Sequence, residues 1–379
     1  MRRLMLLALI ALLTLSAACA QTFTPTTGSP WEGRDTAVSY WTYPMDLTDE
    51  GAVWDMLMQP MTVLDDGGKK GNAQKRQIVI RSGPDKASEG VGVVTNLTQG
   101  VHVLERGEEW TLIECYSSSF KASTVHAWNM LVQGYVPTRF LKTVQPNPSM
   151  ALVVDKLTQR LYIFRDGGLY DTLYCSTGLC NPRQPYNETR SGEFLLCVPA
   201  VGGFKSDDMV CDMGIRFNGG DLIHESPHTI RDGKKNYWRG DSKMGTKASH
   251  GCIRVQRQRT PKGTNMKWIW NNKKNNIRII IWEDWQGRQI ASPDPDTVLY
   301  YDKSGKSYHV SDACYGKKSK TLTPFAWSEL EDKTYAKLAR CMYCVPPLRQ
   351  AEIDAINALY APGGDHDPAM TEARSKLKK

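Results

Sequence analysis

The stretch Ala248–Val255, "ASHGCIRV", governs how the rest of the chain is interpreted. It places a histidine, a glycine and a cysteine in consecutive positions, and an arginine follows two residues after the cysteine. Gly251 permits a backbone turn without a Cβ clash, and such a turn can direct successive N–H groups at one point. In an extended segment Cys252 and Arg254 lie on the same side. Cys252 is therefore either a reactive nucleophile or one half of a disulfide.

A cysteine becomes a nucleophile when a neighbouring group takes its proton, because a free thiol with a pKa of ~8.5 is mostly protonated at neutral pH. Two histidines are candidates for that group. His224 ends the apolar run in "LIHES", and His250 lies two residues before Cys252. The ten cysteines of the chain make a disulfide the simpler explanation for any single one of them. The wider pattern of residues around Cys252 therefore has to decide whether it is a nucleophile or one half of a disulfide.

That wider pattern resembles a known catalytic domain. His224 followed by Ser249–Arg254, "SHGCIR", is similar to the signature of the L,D-transpeptidase catalytic domain, also called the YkuD domain. The opening "LVVDKLTQRLYIFRDGGLYDTLYCSTG" resembles the first hairpin of that family, and "TRSGEFLL" stands where the family usually has Thr-Pro-x-Gly-x-Phe. The resemblance covers roughly residues 149–283, and we place the domain at 149–285. It implies a β-sandwich that needs no cofactor for catalysis.

The resemblance also implies a reaction at Cys252. The thiol attacks the carbonyl after the third residue of a peptidoglycan stem tetrapeptide, the terminal D-alanine leaves, and an acyl-thioester forms. An amine from a neighbouring stem then gives a crosslink, whereas water gives L,D-carboxypeptidase activity. The implied site residues are His224 as proton acceptor and donor, His250 as support for the turn, the backbone N–H groups of Gly251 and Cys252 as oxyanion hole, and Arg254 and Ser249 as substrate-binding residues.

The chain departs from the family pattern in two ways. The gap between His224 and Ser249 holds 24 residues, which is longer than the common spacing. Its polar stretch "RDGKKNYWRGDSK" is expected to form a loop over the site. Glu225 also stands where the family usually has glycine. If a backbone carbonyl near Glu225 orients His224, the side chain at that position matters little.

Two other classes of protein remain as alternatives. Wall peptidases of the NlpC/P60 type also combine SH3-like domains with a Cys/His site, but in those enzymes the cysteine precedes the histidine. Here the candidate base, His224, comes first. The other alternative is a cell-wall-binding protein without catalytic activity. The presence of both His224 and the complete "SHGC" run argues against it.

The N-terminus predicts export. Residues 1–20 combine two arginines, a short apolar run and small residues, as in a secretory signal peptide. Cleavage after Ala20 fits the small residues there, while a lipoprotein would instead keep Cys19 as its lipid-bearing N-terminus. No later stretch reaches the ~18 apolar residues of a transmembrane helix. The modest net charge of +8 suits an anionic cell wall better than nucleic acid. We therefore expect a cell-envelope protein, periplasmic or wall-associated.

The segment between the signal peptide and the catalytic block divides in two. Residues 21–49 form a linker rich in Thr, Pro and Gly. Residues 50–145 begin with a short helix and continue as short β runs broken by turn residues, which indicates a small barrel. The phrases "IRSGPD", "VHVLE", "EEWTLIE" and "GYVPTRFL" resemble a bacterial SH3-like domain. With the catalytic β-sandwich, this predicts a mainly β protein.

A small α+β module is expected at residues 297–360, with helical texture in "TPFAWSELEDKTYAKLARC" and a flexible tail at 361–379. Four residues of this module follow the spacing H-x4-C-x26-C-x2-C, which suits tetrahedral zinc: His309, Cys314, Cys341 and Cys344. A disulfide from Cys314 to Cys341 or Cys344 is an equal alternative. The four cysteines of the catalytic block could form two further bridges, and Cys115 would then have no partner in its own domain.

Overall fold

The computed structural model describes residues 26–27, 47–68, 73–318 and 321–378. Among the described residues, strands hold 36% and helices 16%, which confirms the prediction of a mainly β protein. The predicted signal peptide (1–20) and most of the predicted linker (21–49) lie outside the described residues. Within the described ranges, none of the helices has the length and apolar character that crossing a membrane requires.

The N-terminal block is an antiparallel β structure. Its elements are β1 (Thr26–Thr27), α1 (Glu50–Leu57), β2 (Met61–Leu64), β3 (Gln77–Arg81), β4 (Gly90–Thr95), β5 (His102–Arg106), β6 (Trp110–Tyr116), β7 (Leu131–Pro137) and β8 (Leu141–Val144). Five strands form one sheet in the order β4-β3-β7-β6-β5, and β2 pairs with β8. The alternating burial of β3 and β7 builds the small core of this block. Its assignment to the SH3-like class stays a prediction.

The central block carries the catalytic motif. Its elements are β9 (Ala151–Asp155), β10 (Arg160–Arg165), β11 (Gly168–Ser176), β12 (Gly192–Leu195), β13 (Gly202–Ser206), β14 (Met209–Asn218), β15 (Asp221–Glu225), β16 (Thr229–Arg231), β17 (Lys234–Asn236), α2 (Trp238–Asp241), β18 (Ile253–Val255), α3 (Met266–Asn272), β19 (Arg278–Trp282) and β20 (Gln289–Ile290). Nine of these strands form one sheet in the order β12-β19-β9-β10-β11-β18-β15-β14-β13.

The sheet places its most apolar strands at the centre because both of their faces are covered. Every residue of β9 and β19 is buried, as expected for the continuous apolar runs "ALVVD" and "RIIIW". One face packs on α3 through Met266 and Ile269. The other face packs on α1 through Val53 and Leu57. Helix α1 therefore packs on the catalytic sheet, although the sequence places it at the start of the SH3-like block.

The C-terminal module is an α+β unit, as predicted. It contains β21 (Val298–Tyr301), β22 (Ser307–His309), β23 (Thr323–Ala326), β24 (Ala339–Arg340), α4 (Gln350–Leu359) and α5 (Pro368–Ser375). The four strands form a sheet in the order β23-β21-β22-β24. Leu157 and Ile290 of the central block share an apolar cluster with the module, so the two pack together.

Two expectations for this region need correction. The stretch from Thr323 to Cys341 is not a continuous helix. Its start pairs with β21 as a strand, and the residues that follow form turns. The ring of Phe325 stacks on that of Tyr335 at 4.1 Å and packs these turns against the strand. Tertiary packing outweighs helix propensity there. Nor is 361–379 a flexible tail throughout. Helix α5 buries Met370 and Ala373, and the Arg374 guanidinium donates to the carbonyl oxygen of Trp128 at 2.7 Å.

One buried ion pair ties α1 to the catalytic sheet. Arg278 on β19 pairs with Glu193 on β12, and both side chains are almost fully buried. The same guanidinium donates to the carbonyl oxygens of Met56 (2.9 Å) and Gln59 (3.1 Å) at the end of α1. Burial raises the pKa of Glu193 to about 7, although Arg278 acts against that shift.

We expect Arg278→Met to lower the free energy of unfolding by about 3 to 5 kcal/mol, because it leaves Glu193 and the α1 carbonyls without their partner in a dry interior. The matched control is Arg165→Met, which removes an ion pair to Asp166 at the surface of the same sheet. That change should cost less than about 1 kcal/mol. Urea unfolding of both variants measures the difference. Equal losses would contradict the structural role of the buried pair.

Candidate active site

The candidate base and the candidate nucleophile are brought together by two adjacent parallel strands. In the pairing of β15 with β18, His224 lies opposite Arg254 and Ile223 lies opposite Ile253. Cys252 directly precedes β18, so it and Arg254 lie on one face of the sheet. His224, Cys252 and Arg254 all line the same cavity, with a volume of about 540 Å³. The structure therefore joins residues that are 28 positions apart in sequence.

His224 is held in one orientation and one tautomer. Its ring is buried, and Nδ1 lies 2.6 Å from the carbonyl oxygen of Glu225. Because a carbonyl only accepts, Nδ1 carries the proton and Nε2 is left as an acceptor. The ring of Phe204 packs edge-on against the imidazole at 5.3 Å. Burial, with a smaller contribution from the Arg254 charge, lowers the pKa of His224 to about 4.

Cys252 is partly exposed and lines the cavity. Burial, followed by the nearby Asp221 carboxylate, raises the pKa of the thiol to about 12. A hydrogen bond from the backbone N–H of Leu222 acts in the opposite direction. At neutral pH the free protein therefore holds a neutral thiol and a neutral imidazole in the same cavity, and not a thiolate–imidazolium ion pair.

The turn before Cys252 requires glycine. Gly251 has a φ of +117°, and a Cβ there would lie 2.6 Å from Oδ1 of Asp221. The Thr189 hydroxyl donates to the carbonyl oxygen of Gly251 at 2.8 Å. Ser249 closes the turn: its hydroxyl donates to the carbonyl of Cys252 and accepts from the N–H of Gly251 at 3.2 Å. These contacts fix the direction of the Cys252 side chain.

These contacts bear on two predicted roles. The Ser249 hydroxyl is already used by the backbone of the turn, so its contacts here are structural, and substrate binding by Ser249 stays a prediction. The N–H of Gly251 points at Ser249 in this structure, so its use as an oxyanion donor requires that the hydroxyl be displaced. His250 is exposed, with Nδ1 3.8 Å from Oδ2 of Asp207. Its predicted support of the turn also stays a prediction.

Arg254 is a cation aimed into the cavity. Its side chain is largely buried, and burial lowers the pKa of the guanidinium below its ordinary value. Across the described residues, no hydrogen bond or ion pair to another protein group engages Arg254. A partly dehydrated arginine without a partner is a strong binding site for a carboxylate, because both groups then gain a charge-assisted hydrogen bond.

Two segments that carry no sequence motif form the walls of the cavity. One wall is the β13–β14 hairpin, which contributes Phe204 and Asp208, and the other includes α2, which contributes Trp238 and Arg239. The polar stretch 231–243, predicted to be a loop, contains most of the β16–β17 hairpin and then the short helix α2. Arg239 forms an ion pair with Asp208 and joins the two walls. Nothing in the sequence of the β13–β14 hairpin identifies it as part of the site.

A second cluster lies outside this cavity. The ligand atoms of His309, Cys314, Cys341 and Cys344 all lie within 4.8 Å of one another, and all four residues are buried. The sequence predicts this grouping for zinc or a disulfide. The nine cysteines within the described residues are free thiols, including the four of the catalytic block and Cys115.

The central block matches a known family. Residues 149–281 match the family model of the L,D-transpeptidase catalytic domain, YkuD, close to the predicted 149–285. The matched segment is about a third of the chain. No curated protein matches the chain in sequence.

Several solved structures are similar in part. One is an L,D-transpeptidase from Xylanimonas cellulosilytica, with 19% identity over 37% of this chain and 63% of that chain, at a TM-score of 0.25. Another is an L,D-transpeptidase from Stackebrandtia nassauensis, with 18% identity over 37% and 58%, at a TM-score of 0.27. A fused Zn-dependent amidase/peptidase/peptidoglycan-binding domain-containing protein from Clostridium acetobutylicum shows 24% identity over 35% and 52%, at 0.25. The match thus spans less than two thirds of each protein, and these TM-scores are too low to establish a shared fold.

We expect Gly251→Ala to lower stability and to change the labelling rate of Cys252, because the new Cβ collides with Asp221 and the φ is unsuited to alanine. The matched control is Gly233→Ala, at a φ of +71° with open space around it. The control should lose only about 1 kcal/mol to backbone strain. Thermal unfolding and iodoacetamide labelling located by mass spectrometry measure both effects. The same loss in both variants would show that the turn tolerates a side chain.

Proposed function

We propose that the protein is a peptidoglycan L,D-transpeptidase that works through an acyl-thioester on Cys252. The observation that carries this proposal is the parallel pairing of β15 with β18, which sets His224 and Arg254 side by side next to Cys252 in one cavity. The family match of residues 149–281 supports the same reaction class. The substrate is a stem tetrapeptide of peptidoglycan, and catalysis needs no cofactor.

Acylation begins with the thiol and the neutral imidazole. Nε2 of His224 takes the proton as Cys252 Sγ bonds to the carbonyl carbon of the third stem residue. The carbonyl oxygen gains the negative charge, and backbone N–H groups of the 251–252 turn stabilise it once Ser249 has yielded its contact. The C–N bond to the terminal D-alanine then breaks, and the imidazolium returns its proton to the leaving amine.

Deacylation repeats these proton transfers with a new nucleophile. An amine from a neighbouring stem peptide attacks the thioester carbon, His224 takes its proton, and the thiol leaves protonated. The product is a crosslink, whereas water in the same position gives L,D-carboxypeptidase activity. Arg254 orients the donor stem by pairing with a substrate carboxylate, which gives its unpaired charge a partner.

The other blocks fit a cell-envelope enzyme. We infer that the protein is exported through residues 1–20, either cleaved or lipid-anchored at Cys19. The antiparallel block within residues 50–145 is proposed as an SH3-like module that holds the enzyme on the cell wall. The net charge of the whole chain, +8, favours that anionic surface.

The direct test is incubation of the mature protein with purified tetrapeptide muropeptides and with a carbapenem, both followed by mass spectrometry. The wild type should give crosslinked dimers or tripeptides and a single carbapenem adduct. Cys252→Ser should give neither, because the thioester cannot form. The control is Cys197→Ser, which removes a buried thiol away from the cavity and should behave as the wild type. An adduct on Cys252→Ser, or unchanged muropeptides with folded wild type, would overturn the proposal and leave a wall-binding role.

The pH profile separates the general-base arrangement from a preformed ion pair. With the pKa of His224 at about 4, the imidazole is neutral and able to accept a proton at all higher pH values. Acylation by a carbapenem should therefore stay level from about pH 6 to 9 and fall only as the pH drops through about 4. Stopped reactions read by intact mass, with circular dichroism at each pH as the folding control, give the profile. A decline beginning near pH 6.5 would contradict this assignment.

A further inference from the structure

The His309 cluster has the shape of a metal site. The strands β22 and β24 pair in parallel, and each ends next to a cluster residue: His309 closes β22, and Cys341 follows β24. Cys314 lies in the turn after β22, and Cys344 completes the Cys-x2-Cys turn. Two strand ends and two turns therefore deliver four ligating side chains to one buried point.

Each of the three sulfurs accepts a backbone hydrogen bond. Gly316 donates its N–H to Cys314 Sγ at 3.3 Å, Tyr343 donates to Cys341 Sγ at 3.4 Å, and Val310 donates to Cys344 Sγ at 3.4 Å. Two of these donors lie two residues after their cysteine. Backbone donors directed at sulfur stabilise thiolate, which is the form that binds a metal. The backbone around the cluster is therefore arranged for three charged sulfurs.

The distances match a tetrahedral ion and not a disulfide. With Zn–S bonds of ~2.3 Å, two sulfurs of a zinc tetrahedron lie ~3.8 Å apart. Cys314 Sγ and Cys341 Sγ are 3.5 Å apart, and Cys344 Sγ lies 3.7 Å from His309 Nδ1. A disulfide needs ~2.05 Å and uses two cysteines. It would leave the third cysteine and the histidine buried without a shared partner.

We propose that His309, Cys314, Cys341 and Cys344 bind one structural Zn²⁺ ion. Three thiolates and one neutral imidazole form a closed tetrahedral set with no position for water, as in structural and not catalytic zinc sites. The ion adds to the apolar packing of this small module, whose sheet has two strands of only two or three residues among its four. The inference does not depend on the transpeptidase activity.

The zinc site also bears on the catalytic block through the Cys-x2-Cys turn. Met342 and Val345, within and just after that turn, pack with Tyr174 of β11 and with Met244. Met244 belongs to the segment between His224 and the catalytic turn. Loss of the ion should therefore loosen this segment as well as the module, although the zinc lies outside the cavity.

Metal analysis of the full chain, purified without chelator, tests the site. We expect one zinc per chain and, after cobalt substitution, the visible absorption of a tetrahedral cobalt–thiolate site. All three cysteines should label as thiols after denaturation with chelator. Chelation should lower the melting temperature and increase hydrogen exchange over residues 307–345. Less than about a tenth of an equivalent of zinc, together with a mapped bond between two of these cysteines, would overturn the proposal.

Two substitutions at one position keep the test independent of folding losses. His309→Cys preserves a four-ligand set and should retain one zinc, because sites with four cysteine ligands are also tetrahedral. His309→Ala removes one ligand and should lose the metal during gel filtration with a weak chelator. One zinc in each of the two variants would exclude His309 as a ligand, and absence of zinc from the folded wild type would exclude the four-ligand site.

Discussion

The ion pair between Arg190 and Asp221 is the constraint on which the catalytic turn depends. Nη1 of Arg190 lies 3.0 Å from Oδ2 of Asp221, and both side chains are almost completely buried. The guanidinium also donates to the carbonyl oxygen of Ser119 at 2.8 Å and lies over the ring of Phe120. Charges in so dry a place are stable only when paired. Gly251 rests against this pair, so the N-terminal block takes part in fixing the direction of Cys252.

A second buried network holds the opposite end of the same segment. Lys247, just before the catalytic turn, lies 2.6 Å from Asp284, and Lys156 lies 3.0 Å from Glu283. Glu188 contacts both lysines. The turn is thus held on one side by the Arg190–Asp221 pair and on the other by the ion pairs of Lys247. The burial that forces these charges to pair also lowers the pKa of His224 and raises the pKa of Cys252, so the ion pairs and the pKa shifts have one physical origin.

The sequence could predict what depends on local order and little of what depends on distant packing. Short-range signals locate the β runs within residues 50–145 and the turn at Gly251, and spacing groups the four Cys/His residues of the module. The wall formed by the β13–β14 hairpin could not be found, because the sequence around Phe204 and Asp208 carries no motif. Helix α5 could not be distinguished from a flexible tail, because its few apolar residues are buried only by contact with the distant Trp128 and Cys180. The buried ion pair of Arg190 could not be predicted either, because a single arginine in a polar stretch gives no sign of its partner.

The parallel pairing of β15 with β18 makes the placement of His224 beside Arg254 independent of most of the chain that connects the two strands. Backbone hydrogen bonds across the sheet set the register of His224 and Arg254, and the 24 residues between His224 and Ser249 connect the two strands. The part of this stretch that contains β16, β17 and α2 can therefore change without moving the thiol from the imidazole, whereas its two ends cannot, because the Glu225 carbonyl orients His224 and Lys247 anchors the turn. Grafting a different segment between these two ends would change which side chains stand beside the cavity in place of Trp238 and Arg239, while the pairing of the two strands stays as it is.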